Sequence, residues 1–151
     1  MASILKMLVE GLAYIHSLSI VHRDIKSSNM LVHGDGQVML SDFGVSDTIK
    51  ENKKKNKFVG SPCWMAPEVV DQTEGYDQRV DMWSLGITAI ELSEGNPPFY
   101  EQPSMKVLLQ ILNNKPPSLS KYSNFSDDFI YFVHDCLKKN PRERLQSHQA
   151  L

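Results

Sequence analysis

Cysteine is scarce in this chain of 151 residues: Cys63 and Cys136 are too few for a disulfide framework and lack the paired spacing of a zinc site. A reducing compartment suits such a sequence. An excess of one charge is missing too, because 16 basic residues stand against 18 acidic ones and a net charge of −2 builds no field to hold nucleic acid or an anionic membrane. No apolar run reaches the roughly 18 residues of a membrane span. Met1-Ala2-Ser3-Ile4-Leu5-Lys6 has no charged start leading into an apolar stretch, as a signal peptide would. Neither nucleic acid nor membrane is an expected partner, and the expected location is the cytoplasm, with the nucleus as the alternative. No internal repeat occurs, and low complexity is confined to Lys53-Lys54-Lys55. What is present is 41% hydrophobic residues, enough for one core and one domain over residues 1–151.

Ile4, Leu5, Leu8, Leu12 and Ile15 recur at three- and four-residue steps, which predicts an opening amphipathic helix ending near Ser19. A polar stretch from His22 to Asn29 follows. Met30-Leu31-Val32 and Val38-Met39-Leu40 flank the turn signal Gly34-Asp35-Gly36, which predicts a β-hairpin. From Ser46 to Asn56 the chain is polar and lysine-rich with no buried period, and a mobile loop is expected there. Asp77 is the expected N-cap of a helix reaching Glu94, stopped by Gly95 and Pro97-Pro98. Its apolar residues, from Val80 to Leu92, point all round the axis, so it should be the buried central post. Ser104 is the expected cap of a helix through Leu112, and Ser126 of one whose last turn carries Lys138 and Lys139. About six helices against one small hairpin make the fold class mainly α.

Three short motifs carry chemistry. His22-Arg23-Asp24-Ile25-Lys26-Ser27-Ser28-Asn29 lies between the first helix and the hairpin, Asp42-Phe43-Gly44 follows the hairpin directly, and Ala66-Pro67-Glu68 stands downstream. Taken singly they read as a polar loop, a turn and a helix start. In this order and setting they match the catalytic loop, the metal-binding triplet and the end of the segment between them in a phosphoryl-transfer enzyme. Such transfer needs a group that orients the attacking hydroxyl, for which Asp24 is suited, and charges that hold phosphates in line. Lys26, two residues on in an extended loop, points the same way as Asp24 and would neutralise the transferring group. Asn29 and Asp42 offer hard oxygens, and one Asp and one Asn are a sufficient protein share for magnesium, which keeps phosphate oxygens and water as its other ligands.

On these motifs the whole chain resembles the C-terminal lobe of eukaryotic protein kinases. Phe58-Val59-Gly60-Ser61-Pro62-Cys63-Trp64-Met65-Ala66-Pro67-Glu68, together with the stretch Asp81 to Leu92, is similar to the sterile-twenty-like serine/threonine group. Met105-Lys106-Val107-Leu108 and Pro116-Pro117-Ser118-Leu119 are similar to its oxidative-stress-responsive branch. The resemblance implies a protein kinase-like fold and transfer of the γ-phosphoryl group of ATP, with Mg2+, to Ser or Thr hydroxyls of protein substrates. It makes Asp24 the catalytic base, Lys26 the phosphate clamp that also marks a Ser/Thr enzyme, and Asn29 and Asp42 the metal ligands. Leu31 would floor the adenine site, and Ser61 would contact Asp24 and Lys26 and help seat the acceptor hydroxyl. His22 and Phe43 would stack in the spine that links the lobes, Asp81 would anchor the catalytic loop, and Glu68 would pair with Arg144. Val45 after the Asp-Phe-Gly is similar to kinases that favour Thr acceptors.

Two departures qualify the match. Lys57 stands where the group's activating phosphothreonine stands, so two cations, Lys57 and Arg23, are expected to meet where an anion should order the loop. Ser46, Thr48 and Ser61 remain candidate phosphoacceptors, and the lysines at 50, 53, 54, 55 and 57 read as a solvated run. Nothing ahead of His22 resembles a glycine-rich phosphate loop or a strand lysine, so the chain is expected to be a fragment of a kinase or a truncated gene model, and nearly inactive without the missing N-lobe. The competing expectation is a non-catalytic lobe that serves as a binding module. Cys136 is expected in the core, and Cys63, beside the substrate groove, in a small apolar role.

Overall fold

The computed structural model describes residues 1–49, 57, 59–120 and 124–151. The amphipathic opening is helix α1, Ala2–Ser17, with Leu5, Leu8, Val9, Leu12 and Ile15 buried along one stripe. It stops short of the expected Ser19 because that residue turns into left-handed backbone, φ 60°, and the chain leaves as strand β1, Ile20–Val21. The hairpin forms where its turn residues stand: β2, Met30–Val32, pairs antiparallel with β3, Val38–Leu40, Leu31 opposite Met39.

A second strand pair corrects the expected loop. Strand β4, Asp47–Thr48, pairs antiparallel with β1, Ile20 opposite Thr48 and Val21 opposite Asp47, so the start of the Ser46–Asn56 segment is tied to the core. Residues 50–56, with most of the lysine run, and Phe58 lie outside the described residues, as does the expectation that Lys57 leaves that segment poorly ordered.

Helix α2, Pro67–Asp71, opens on a proline whose missing N–H is no loss in a first turn. Helix α3, Arg79–Glu94, is the central post, buried continuously from Val80 to Ile90 as its all-round apolar sequence demands, and it ends at Gly95 with φ 90°. Its N-cap is Gln78 rather than Asp77, which sits one residue out and accepts the Arg79 amide at 3.0 Å. Helix α4, Ser104–Asn113, has Pro103 at its N-cap, so Ser104 is a helical residue and not the cap. Helix α5, Asp127–Cys136, is capped by Ser126 as expected, its side chain accepting from the Phe129 amide at 3.4 Å. It ends before Lys138 and Lys139. Lys139 instead donates to the Leu112 carbonyl at 2.7 Å, so it serves the negative end of α4. Among the described residues the count is five α-helices, four 3-10 turns and two strand pairs, a mainly α fold in which the hairpin is not the only sheet.

Two contacts fix the layers around α3. At Gly86 a Cβ would stand 2.8 Å from the Cys136 Cβ and 2.9 Å from the Leu137 side chain, so α5 packs against α3 nearly backbone to backbone. The Arg144 guanidinium, fully buried, forks onto Glu68 at 2.6 and 2.9 Å and also donates to the Arg79 carbonyl at 3.0 Å, which ties α2 and α3 to the C-terminal segment.

Candidate active site

The loop from His22 to Asn29 leaves β1 and returns into β2, and α3 holds its backbone. Asp81, wholly buried in the first turn of α3, accepts the His22 amide and the Arg23 amide at 2.8 Å each, one on each carboxylate oxygen. Its Oδ2 also bonds His16 Nε2 at 2.9 Å, and His16 Nδ1 meets Ser147 Oγ at 2.9 Å. These bonds hold Arg23 at φ 73°, a left-handed conformation that costs a non-glycine residue on the order of 1–3 kcal/mol. The crank leaves His22 and Arg23 buried and Asp24 half-buried.

Asp24 is the hub of a four-residue network. Its Oδ1 accepts the Ser61 amide at 3.1 Å and the Ser61 hydroxyl at 2.8 Å, and its Oδ2 receives Lys26 Nζ at 2.8 Å and Asn29 Nδ2 at 2.9 Å. Lys26 Nζ also donates to Ser61 Oγ at 2.7 Å. Burial pushes the Asp24 carboxyl up, but hydrogen bonds from Lys26, Ser61 and Asn29 and the Lys26 charge outweigh it and hold the group below the ordinary aspartate value. Asn29 gives its amide N–H groups to the Asp24 carbonyl and carboxylate, which turns its Oδ1 away from both, and that oxygen has no hydrogen-bond partner among the described residues.

Asp42 stands beside this network rather than inside it. Its neighbour Ser41 is sewn to the Asn29 carbonyl by its amide at 2.9 Å and its hydroxyl at 2.8 Å, while the exposed Asp42 carboxylate accepts the Gly44 amide at 3.3 Å. His22 binds the two motifs together: Nε2 meets the Ser41 carbonyl at 3.0 Å, and the ring lies 4.7 Å from that of Phe43. Leu31 is 54% exposed on the hairpin.

Arg23 is not a bare cation in the structure. Its guanidinium donates to the Val45 and Ser46 carbonyls and to Tyr76 Oη, and the Asp47 carboxylate lies 3.5 Å away, an anion supplied from β4. Tyr76 in turn donates to the Lys57 carbonyl at 2.7 Å. Gly60, at φ 113°, passes so close to Arg23 that a Cβ would be 2.6 Å from its carbonyl oxygen, and this approach seats Ser61 on Asp24.

Besides Asp47 and Tyr76, the sequence reading does not reach Glu91 and His16. Glu91 accepts the Ser27 amide at 3.1 Å, the Ser27 hydroxyl, and Trp64 Nε1 at 3.0 Å, so it joins the loop to the 3-10 turn Pro62–Trp64. His16 holds Asp81. Each is a polar residue on a face that is otherwise apolar, and a buried polar group demands a partner, so the signal was present. Cys63 is half-buried, and burial, with the Glu91 charge, raises its thiol above the ordinary value, while Cys136 is wholly buried in the core.

The whole chain, residues 1–151, matches the family described as "Protein kinase domain". It is 51% identical over 144 residues to Serine/threonine-protein kinase ppk11 of Schizosaccharomyces pombe, covering 95% of this chain and 46% of that protein. It is 49% identical over 147 residues to Serine/threonine-protein kinase fray2 of Dictyostelium discoideum, covering 95% and 14%. Against Germinal center kinase 3 of Caenorhabditis elegans it is 41% identical over 164 residues, covering 99% and 28%. The chain thus spans less than half the length of these curated relatives. It belongs to the protein kinase family.

Proposed function

We propose that residues 1–151 are the C-terminal lobe of a kinase domain, and that with an N-terminal lobe in place the protein transfers the γ-phosphoryl group of ATP to Ser or Thr hydroxyls of protein substrates. The observation that carries this reading is the Asp24 network, where a carboxylate, a cation and a hydroxyl lie within 2.8 Å of one another. The donor set fits a magnesium nucleotide: the unpartnered Asn29 Oδ1 and the exposed Asp42 carboxylate are hard oxygens on neighbouring segments, and exposed Leu31 suits the apolar face of an adenine ring. Asn29 and Asp42 would hold the metal, which when bound neutralises charge on the phosphate oxygens.

Asp24 orients the acceptor hydroxyl by accepting its hydrogen. Because its carboxyl is held low, it is a weak base and takes the proton late, as the oxygen–phosphorus bond forms. Lys26 neutralises charge on the transferred group, and Ser61 seats the acceptor beside Asp24. The partners are protein substrates rather than nucleic acid or membrane, and no helix among the described residues is long and apolar enough to cross a bilayer. The cytoplasm is the proposed location.

The test joins these residues to the N-terminal lobe of a sterile-twenty-like kinase and supplies ATP and a mixed Ser, Thr and Tyr peptide library. Magnesium-dependent phosphate on Ser and Thr, with none on Tyr, is expected. No transfer, with peptide binding retained, would establish the binding-module reading instead.

A further inference from the structure

A cavity of about 670 Å³ opens between α5 and the segment Lys115–Ser120, and none of the residues that line it belongs to the Asp24 network. Val133 and Leu137, both buried, form its floor, and Pro117, Leu119, Phe125 and Ile130 line its sides. Ile130, Val133 and Leu137 recur at three- and four-residue steps, one stripe of α5 that runs into its C-cap. The stripe spans about 10 Å. Cations gather at one end of it. Lys138 and Lys139 follow the last turn of α5, and Lys139 reaches the Leu112 carbonyl at 2.7 Å, beside the end of α4 where Lys115 leaves. All three line the cavity, with His134 one turn earlier. Asp135, 3.8 Å from Lys138, offsets one charge, and Lys115 pairs with no carboxylate among the described residues. That end of the cavity calls for a negative group.

The wall opposite α5 is main chain with nothing to bond. A residue before proline is kept out of helical backbone, so Lys115-Pro116-Pro117 runs extended. From Lys115 to Leu119 no backbone group has a hydrogen bond within the chain, among the described residues. The amides of Ser118 and Leu119 and the carbonyls along this run are therefore open to a second chain. An anionic amphiphile would use the apolar stripe and the cations but leave those amides and carbonyls unanswered, whereas a peptide uses all three. We propose that this cavity is a docking groove for a short extended peptide of a partner protein: about three residues with apolar side chains along the α5 stripe, and Asp or Glu at the lysine end. Docking there holds a partner on the lobe without touching Asp24, and it does not depend on phosphoryl transfer.

The experiment presents the immobilised full-length protein to a phage library of random octapeptides, counter-selected on the double variant Lys115→Glu, Lys138→Glu. The surviving peptides are then measured by fluorescence anisotropy. They should carry apolar residues beside one or more acidic ones and bind more weakly as salt is added. Affinity should fall at least tenfold in the double variant and in Ile130→Asp, and stay unchanged in Asp24→Asn. Should either variant lose melting temperature, Lys115→Glu alone, at an exposed position, takes its place and should still weaken binding. Survivors without acidic residues, survivors that bind Ile130→Asp undiminished, or no survivors at all overturn the proposal. Dodecanoate held at this site in place of any peptide overturns it in favour of an amphiphile, and self-association lost in the same variants overturns it in favour of a second copy of the chain.

Discussion

Asp24 takes hydrogen bonds from Ser61, Lys26 and Asn29, and its ionised form is favoured by that company more than it is penalised by burial. The direction of the pH effect follows. A carboxyl held low in the folded chain adds stability above the ordinary aspartate value of about 3.9, and that stability is lost as pH falls through the lowered value. Removing the charge in Lys26→Met should therefore move the Asp24 midpoint upward, read by NMR titration of its carboxyl carbon. A midpoint left in place would mean that Lys26 does not hold the group. At this scale the motifs made Asp24, Lys26, Asn29 and Ser61 legible, because each is a residue type with one chemical task at a fixed spacing. The partner of Arg23 was not legible: Asp47 reaches it only because β4 lies against β1, and nothing in the composition of either segment announces that pairing.

Among the elements, those with a long period could be read and those with a short one could not. Residues of α3 are buried without a break from Val80 to Ile90, about three turns, and the helix lies where its apolar surface requires. Strands β1 and β4 have two residues each, too few for alternation to show. The C-terminal boundary of α5 was misplaced because basic residues favour a helix end, whereas Lys139 serves the end of α4 across space. The contact of α3 with α5 gives a prediction in which two effects oppose each other. Alanine is the better helix former by about 1 kcal/mol. Against that, Gly86→Ala drives a methyl to 2.8 Å from the Cys136 Cβ, an overpacking that costs typically about 1–3 kcal/mol. Net destabilisation is expected, seen as a lower denaturant midpoint with an unchanged slope, and a raised midpoint would show that the helices separate freely.

Across the whole molecule, buried polar ties run from the C-terminal segment to the site. Ser147 meets His16, His16 meets Asp81, and Asp81 holds His22 and Arg23, which place Asp24. Arg144 plays the corresponding part for the segment after Ser61, through Glu68. Arg144→Ala leaves the Glu68 carboxylate without its partner and should cost about 3–5 kcal/mol, measured by urea unfolding. A loss under 1 kcal/mol would contradict that role. Phosphoryl transfer by the Asp24 network, the role proposed for it, would show itself in kcat of the full-length protein with Asp24→Asn on a Ser/Thr peptide. A fall on the order of 10²–10⁴-fold is expected, with the melting temperature and ATP affinity little changed. A kcat equal to that of the unaltered protein would contradict it.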